Sequence, residues 1–176
     1  MAQDPIEHAE RVVNACRGFD GPRVRRAVNQ LADLDAWAED RFAAPETGPK
    51  SCLHRLVTVR GGMTLYLNAS RGAERSPVHD HLVRAWVAGI SGRERSTFHH
   101  VKGGRPVAGD TVDIVPGICV EMDRATLHAI EIEEPTRALH LYEKPLEELG
   151  GRRWWSEAEE RWRPLDLLSP IVDHRT

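Results

Sequence analysis

Short apolar runs between Leu53 and Tyr142 constrain the fold of this chain more than any other feature of its sequence. They are rich in Val, Leu, Ile and Thr, and Gly, Pro or Asp residues separate them. The runs are HRLVTV, MTLYLNA, VRAWVAGI, RSTFHHV, DTVDIV, ICVEM, HAIEIE and RALHLYE. Separators such as RGG, VPGI and KGGRP favour turns. Strands at this spacing predict a sandwich or barrel.

The segments on either side have a different texture. Apolar residues at helical spacing predict a helix from Pro22 to about Phe42, and a shorter helix is expected over Ile6–Cys16. Beyond Tyr142 the chain is charged and rich in Trp, which is typical of a tail that packs on a barrel. One structural domain is expected, with a helical extension over 1–50, a barrel over 51–145 and a tail over 146–176.

Composition excludes several classes of function. The chain has 176 residues and a net charge of −3, and Lys and Arg are spread out, so no nucleic-acid-binding surface is expected. It lacks an apolar stretch of transmembrane length and the apolar core of a signal peptide. The odd number of cysteines indicates reduced thiols in a cytoplasmic protein, with Cys119 in the core and Cys52 on the surface. A monomer or a homodimer is expected.

Two histidines lie one residue apart in the stretch SPVHDHLVRAW. On a strand, residues i and i+2 point to the same face, so the rings of His79 and His81 are able to lean toward one metal ion. Pro77 is suited to the start of such a strand. Asp80 alternates to the other face and is expected to be a loop or surface carboxylate rather than a metal ligand.

These motifs resemble those of the cupin superfamily. His79, His81 and Gly92 have the order and spacing of the first cupin motif, and Gly117 and His128 have the spacing of the second. The resemblance implies a cupin double-stranded β-helix barrel, mainly β, with the N-terminal α-helices packed outside. It also implies that His79, His81 and His128 bind one metal ion. Ala85 stands where the motif has its acidic ligand, and three neutral imidazoles suit Fe, Cu, Zn or Ni.

A second resemblance concerns Ala138-Leu139-His140-Leu141-Tyr142, which is similar to the Ser-x-His-x-Tyr signature of the thiol dioxygenases. In that family, which includes cysteine dioxygenase and 3-mercaptopropionate dioxygenase, a His orients a Tyr hydroxyl toward the iron-bound ligands. The resemblance implies that His140 and Tyr142 are catalytic and that the cofactor is Fe(II). Ala138 replaces the family Ser. Ala85 and Trp86 occupy the region of the family's crosslinking cysteine, so no Cys–Tyr crosslink is expected.

The chemistry implied is the oxidation of a small mercapto acid, such as cysteine or 3-mercaptopropionate, to its sulfinate by O2. A substrate carboxylate needs a cation, and a guanidinium binds it in bidentate fashion. Arg55 and Arg60 flank the strand before the His-x-His segment and are the predicted substrate-binding residues, with Arg55 preferred.

Two alternatives remain open on the sequence. One is another three-histidine cupin dioxygenase that cleaves a carbon–carbon bond in a dicarbonyl or phenolic substrate. The other is a cupin that binds a metal or ligand without catalysis. Three further sites are expected to be peripheral: His99 and His100 at the rim or surface, the Trp-rich tail in packing or a dimer interface, and His174 in solvent.

Overall fold

A computed structural model describes residues 4–174 of the chain. Two helices precede the strands: α1 (Pro5–Cys16) and α2 (Gly21–Ala32). The strands are β1 (Ser51–Thr58), β2 (Thr64–Ser70), β3 (Glu74–Arg75), β4 (His79–Asp80), β5 (Ala85–Ser91), β6 (Glu94–Lys102), β7 (Arg105–Ile114), β8 (Cys119–Met122), β9 (Leu127–Ile132), β10 (Thr136–Tyr142), β11 (Arg153–Ser156), β12 (Arg161–Pro164) and β13 (Ile171–Asp173). Short 3-10 turns cover Asp35–Ala38, Asp40–Phe42 and Leu146–Glu148.

Two sheets face each other across one interior. The first has the order β13-β1-β2-β10-β5-β8, and the second has the order β12-β11-β4-β9-β6-β7, with β3 also paired to β9. Neighbours are antiparallel except for the parallel pair β1 and β13. The chain crosses repeatedly from one sheet to the other: β5, β8 and β10 lie in the first sheet, and β4, β6, β7 and β9 lie in the second. This topology is that of the cupin double-stranded β-helix, so the predicted fold class is confirmed. Each of the eight predicted apolar runs contains a strand.

Alternation along β10 shows how the sequence divides inside from outside. Leu139 and Leu141 pack with the helices on the outer face of the first sheet. Ala138 and Tyr142 pack with residues of both sheets in the interior. Because side chains alternate along a strand, His140 shares the inner face with them. The outer face of this sheet is therefore a conventional apolar core, and the inner face is available for polar groups.

The helices cover that outer face, as predicted. Asp4 and Asp20 cap α1 and α2 by accepting from the backbone N–H groups of Ile6 and Arg23. The predicted length of the second helix was wrong, because α2 ends at Ala32 rather than near Phe42. The Trp37 indole donates to the Leu31 carbonyl at 2.6 Å, which satisfies a carbonyl at the helix end. Trp37 is thereby buried without a continued helix.

The tail joins both sheets rather than only wrapping the barrel. β11 pairs with β4 and with β12, and β13 extends the first sheet beside β1. Trp155 and Trp162 stack edge to face at 5.4 Å and pack on Val78 and Leu127, so these two tryptophans serve packing. Among residues 4–174, neither helix combines the length and the apolar character that crossing a bilayer requires.

Gly92 turns the chain from the first sheet into the second. Its φ is +67°, and a Cβ there would collide with the Pro135 carbonyl oxygen. Only glycine satisfies both conditions without strain. This requirement gives the motif glycine a physical reason in this chain.

Candidate metal centre

Three imidazoles from two segments meet in the barrel interior. His79 lies on β4 directly opposite His128 on β9, and His81 follows the end of β4. The Nε2 atom of His81 lies 3.1 Å from that of His79 and 3.3 Å from that of His128. All three side chains are buried. The structure therefore brings together the three histidines that the sequence predicted as metal ligands.

The backbone around His79 and His81 differs from the expected strand that would contain both residues. β4 ends at Asp80, and Leu82 adopts a left-handed φ of +59°, so the chain turns at His81. His81 thus approaches from the turn, while His79 and His128 face each other as cross-strand neighbours. The rings of His79 and His81 therefore converge although only His79 lies on a strand.

Two of the rings are fixed by partners on their outer nitrogens. The Nδ1 of His79 lies 3.0 Å from the Pro77 carbonyl, so Nδ1 carries the hydrogen and the Nε2 lone pair faces the centre. The Nδ1 of His128 lies 3.2 Å from the Ser96 hydroxyl on β6. Outer partners of this kind orient metal-binding imidazoles and set their tautomer.

Burial also keeps the three rings neutral. It lowers the pKa of His79 to about 4, against an ordinary value of 6.5. Burial lowers the pKa values of His81 and His128 well below 6.5, and the neighbouring imidazoles act in the same direction. A metal ion requires the unprotonated ring nitrogen, so the site is ready for binding near neutral pH.

The donor set fits a divalent transition metal. Among residues 4–174, no other group of three His, Cys, Asp or Glu side chains brings its ligand atoms within 4.8 Å of one another. Ala85, at the acidic position of the motif, is a buried part of the interior apolar cluster. Three imidazoles without a carboxylate would leave the full metal charge and open positions for anionic ligands.

A second polar group adjoins the centre. The Tyr142 ring lies edge to face with the His81 ring, with centroids 5.0 Å apart. The Tyr142 hydroxyl is 3.2 Å from Nδ1 of His140, and Nε2 of His140 is 3.2 Å from a carboxylate oxygen of Glu94. Burial raises the pKa of Tyr142, and the charge of Glu94 adds to that effect, so the phenol stays protonated at neutral pH.

These groups line a cavity of about 60 Å³. A cavity of this size suits a small ligand. Arg152, just before β11, lines it with its side chain buried. No described residue accepts a hydrogen bond from its Nε. Leu146 and the tail residues Leu167, Leu168 and Ser169 complete the lining on the side of the tail.

The two arginines predicted to bind substrate lie elsewhere. Arg55 forms ion pairs with Glu147 and Asp173, the latter at 2.8 Å, and Arg60 is an exposed turn residue. Neither lines the cavity that contains His79 and His81. Arg55 already has two carboxylate partners and Arg60 is exposed, so the structure does not bring either arginine together with the histidines.

Three contributors escaped the sequence reasoning. Glu94 and Ser96 alternate with Phe98 along one face of β6, and this alternation was a usable signal for an inward carboxylate. Arg152 gave no such signal, since it lies outside a strand in a tail containing several arginines.

Three further expectations were wrong in detail. Asp80 is buried and accepts from the Arg153 backbone N–H at 2.9 Å, so it anchors the tail instead of facing solvent. Cys52 is buried beside the His54 ring, at 3.2 Å, instead of on the surface. His174 is partly buried and joins His54 in a 2.8 Å hydrogen bond.

Comparisons with known proteins found solved structures that are similar to part of this chain at low sequence identity. No family model matches the chain, and no curated protein matches it. A hydroquinone 1,2-dioxygenase in complex with Cd²⁺ and 4-hydroxybenzonitrile is 14% identical, with a TM-score of 0.47 over 67% of this chain and 76% of its own. A cupin superfamily protein from Desulfitobacterium hafniense is 13% identical, with a TM-score of 0.46 over 57% and 84%.

A third structure, hydroquinone 1,2-dioxygenase from Sphingomonas sp. TTNP3, is 10% identical, with a TM-score of 0.46 over 58% of this chain and 71% of its own. Similarity at this level of sequence identity does not identify a metal or a substrate for this chain. Strand order, the outer helices and the histidine cluster define the class: a cupin barrel with a three-histidine candidate metal centre.

Proposed function

We propose that this protein is a mononuclear non-haem iron thiol dioxygenase that converts a small mercapto acid, such as cysteine or 3-mercaptopropionate, to its sulfinate. The observation that carries the proposal is one small cavity lined by two of the three converging imidazoles, by Tyr142 and by a buried Arg152 whose Nε has no hydrogen-bond partner among residues 4–174. Thiol and dioxygen combine to give the sulfinic acid, with both oxygen atoms on sulfur and no further co-reactant.

Fe(II) held by His79, His81 and His128 would supply the redox chemistry that lets dioxygen react with a thiolate. The three rings add no negative charge, so the metal charge is available to favour the deprotonated sulfur. This argument favours an anionic sulfur ligand over a neutral one.

Arg152 supports the mercapto acid as substrate. Its guanidinium is a buried cation, and burial lowers its pKa because removal from water disfavours the charge. A buried cation without a partner is unfavourable, and a carboxylate that accepts two of its N–H groups would remove that penalty. A ligand that bridges Arg152 and the metal therefore needs a carboxylate at one end and a sulfur at the other.

The cavity size and Tyr142 narrow the substrate further. A volume of about 60 Å³ favours a ligand of a few heavy atoms over an aromatic or a peptide. Tyr142, protonated and held by His140, places its phenol oxygen beside the His81 ring, next to a ligand in the cavity. Leu53, Leu146 and Ile130 give the cavity apolar walls.

Oxygen uptake by the protein loaded anaerobically with Fe(II) tests the proposal. Cysteine, 3-mercaptopropionate and mercaptosuccinate are compared with cysteamine, which lacks a carboxylate, and with a panel of dicarbonyl compounds. We expect uptake with at least one thiol acid, slower uptake with cysteamine, and two labelled oxygen atoms in the sulfinate when labelled dioxygen is used. His128→Ala should abolish uptake, and His99→Ala, on β6 outside the cluster, should not.

Two results would overturn the proposal. Uptake with a dicarbonyl and none with a thiol would indicate a carbon–carbon-cleaving dioxygenase. Tight metal binding without uptake with any substrate would indicate a binding protein.

A further inference from the structure

Glu94 is a buried carboxylate in the barrel interior. It begins β6, its exposed fraction is 0%, and its Oε1 has no hydrogen-bond partner among residues 4–174. Acidic side chains are seldom fully buried unless they are paired, because leaving water is unfavourable for a carboxylate. The one hydrogen bond that Glu94 makes through its side chain therefore calls for an explanation.

That hydrogen bond crosses between the two sheets. Oε2 of Glu94 on β6 lies 3.2 Å from Nε2 of His140 on β10. The other ring nitrogen of His140 lies 3.2 Å from the Tyr142 hydroxyl. Ala138, on the same inner face of β10, has no polar side-chain atom with which to hold the imidazole. Glu94 and Tyr142 thus hold opposite nitrogens of the same ring.

We propose that Glu94 is a positioning residue, which fixes the tautomer of His140 and through it the direction of the Tyr142 hydroxyl. This inference rests on the thiol dioxygenase function proposed above. A carboxylate only accepts hydrogen bonds, so Nε2 of His140 carries the ring hydrogen. Nδ1 is then the acceptor, and the Tyr142 hydroxyl donates its hydrogen to it.

The consequence concerns the side of Tyr142 that faces the cavity. With its hydrogen directed to His140, the phenol oxygen presents its lone pairs to the chamber. A ligand group that donates a hydrogen bond, such as an entering thiol, is then favoured at that position. Without Glu94 the imidazole would be free to adopt either tautomer, and the Tyr142 hydroxyl would lose its fixed direction.

Nitrogen NMR of the histidine rings in the zinc-loaded protein tests the tautomer without any turnover. His140 is assigned by its absence in His140→Gln. We expect Nε2 of His140 to carry the hydrogen in the wild-type protein and a mixture of tautomers in Glu94→Ala. A hydrogen on Nδ1 in the wild type, or the same single tautomer in Glu94→Ala, overturns the proposal. The wild-type measurement requires no variant, and Glu94→Gln provides a second, nearly isosteric substitution.

Kinetics of the iron-loaded protein provide the second readout. We expect Glu94→Ala to lower kcat for the thiol acid about tenfold with little change in KM, the size expected for one hydrogen bond. Iron content should be unchanged. Glu131→Gln, on β9 and paired with Arg75, is the matched carboxylate control and should leave kcat unchanged.

The two proposals fail separately. A protein with the expected His140 tautomer that oxidises no thiol contradicts only the enzymatic function. A thiol dioxygenase that is active, and in which Glu94→Ala changes neither kcat nor the tautomer of His140, contradicts only the positioning role.

Discussion

Two regions of the barrel contain histidine and arginine, and they differ in whether those groups have partners within the protein. At the β1–β13 edge, His54 hydrogen-bonds His174, and Arg55 pairs with Glu147 and Asp173. In the interior, three imidazole Nε2 atoms face one another. The Nε atoms of both arginines lack a hydrogen-bond partner among residues 4–174, but the buried Arg152, unlike Arg55, forms no ion pair with a carboxylate of those residues.

The difference separates stability from function. Polar groups that satisfy one another need no ligand, and their loss is expected to affect folding. Buried polar groups that lack partners are unfavourable unless something binds them. The predictions below set members of the edge group against members of the interior group.

The largest effect is expected for metal binding. His128→Ala should weaken binding of Fe(II) or Zn(II) by more than about 100-fold, since loss of an outer partner alone weakens it 10–100-fold. His54→Asn should leave the affinity unchanged, because His54 lies outside the cluster. Equilibrium dialysis with metal analysis measures both affinities. Equal loss in the two variants would remove the distinction between the regions.

The second effect concerns acid stability of the metal-free protein. The folded pKa of His79, about 4, lies below its ordinary value of 6.5, so the folded state binds fewer protons. Stability is therefore present above pH 6.5 and is lost as the pH falls through 6.5 toward 4, by roughly 3 kcal/mol for this ring. The partly exposed His174 contributes less, although burial also lowers its pKa.

Urea unfolding at pH 7.5 and pH 5 tests this expectation. His79→Asn should lower the pH dependence of the free energy of unfolding, and His174→Asn should change it little. If the free energy of unfolding of His79→Asn falls between pH 7.5 and pH 5 by as much as that of the wild type, the buried His79 ring does not cause the loss of stability in acid.

The third effect compares the two arginines. Arg152→Met should raise KM for 3-mercaptopropionate about 10–100-fold, the size of a lost hydrogen bond to a charged group. Turnover of cysteamine should be unaffected, since it has no carboxylate. Arg55→Met should lower the melting temperature and leave unchanged the ratio of the KM for 3-mercaptopropionate to the KM for cysteamine. Steady-state kinetics and thermal unfolding distinguish the outcomes, and a reversed pattern would return the substrate role to Arg55.

The smallest effect is expected at Ser96, whose hydroxyl contacts the outer nitrogen of His128. Ser96→Ala should weaken metal binding about tenfold, at the low end for an outer partner. Thr97→Ala, the next residue, serves as the control because its hydroxyl bonds to Thr111 on the exposed side. Isothermal titration with Zn(II) measures the difference, and equal affinities would mean that Ser96 does not orient the ring.

Sequence reasoning found the strands and the pair of histidines at 79 and 81 because both depend on local spacing. Alternation identifies β10, and the pair His79 and His81 is visible in three residues. His128 was found by the motif resemblance, since its pairing with His79 joins segments 49 residues apart.

Partners across the barrel were beyond local spacing. Arg55 looked suitable because it precedes the His-x-His segment, but its charge is taken up by Glu147 and by Asp173 from the tail. Arg152 reaches the cavity because β11 pairs with β4. No local pattern in the sequence predicts that strand pairing. The end of α2 was likewise missed, because the Trp37 indole replaces a helical hydrogen bond at Leu31.

X-ray absorption at the iron edge, on Fe(II)-loaded protein with and without 3-mercaptopropionate, tests the central claim most directly. We predict imidazole scattering without a protein sulfur ligand in the free protein, and one added sulfur neighbour when the thiol is bound. His128→Ala should lose most of the bound iron in the same preparation. A spectrum that gains no sulfur at saturating thiol, or iron retained in full by His128→Ala, would contradict the account.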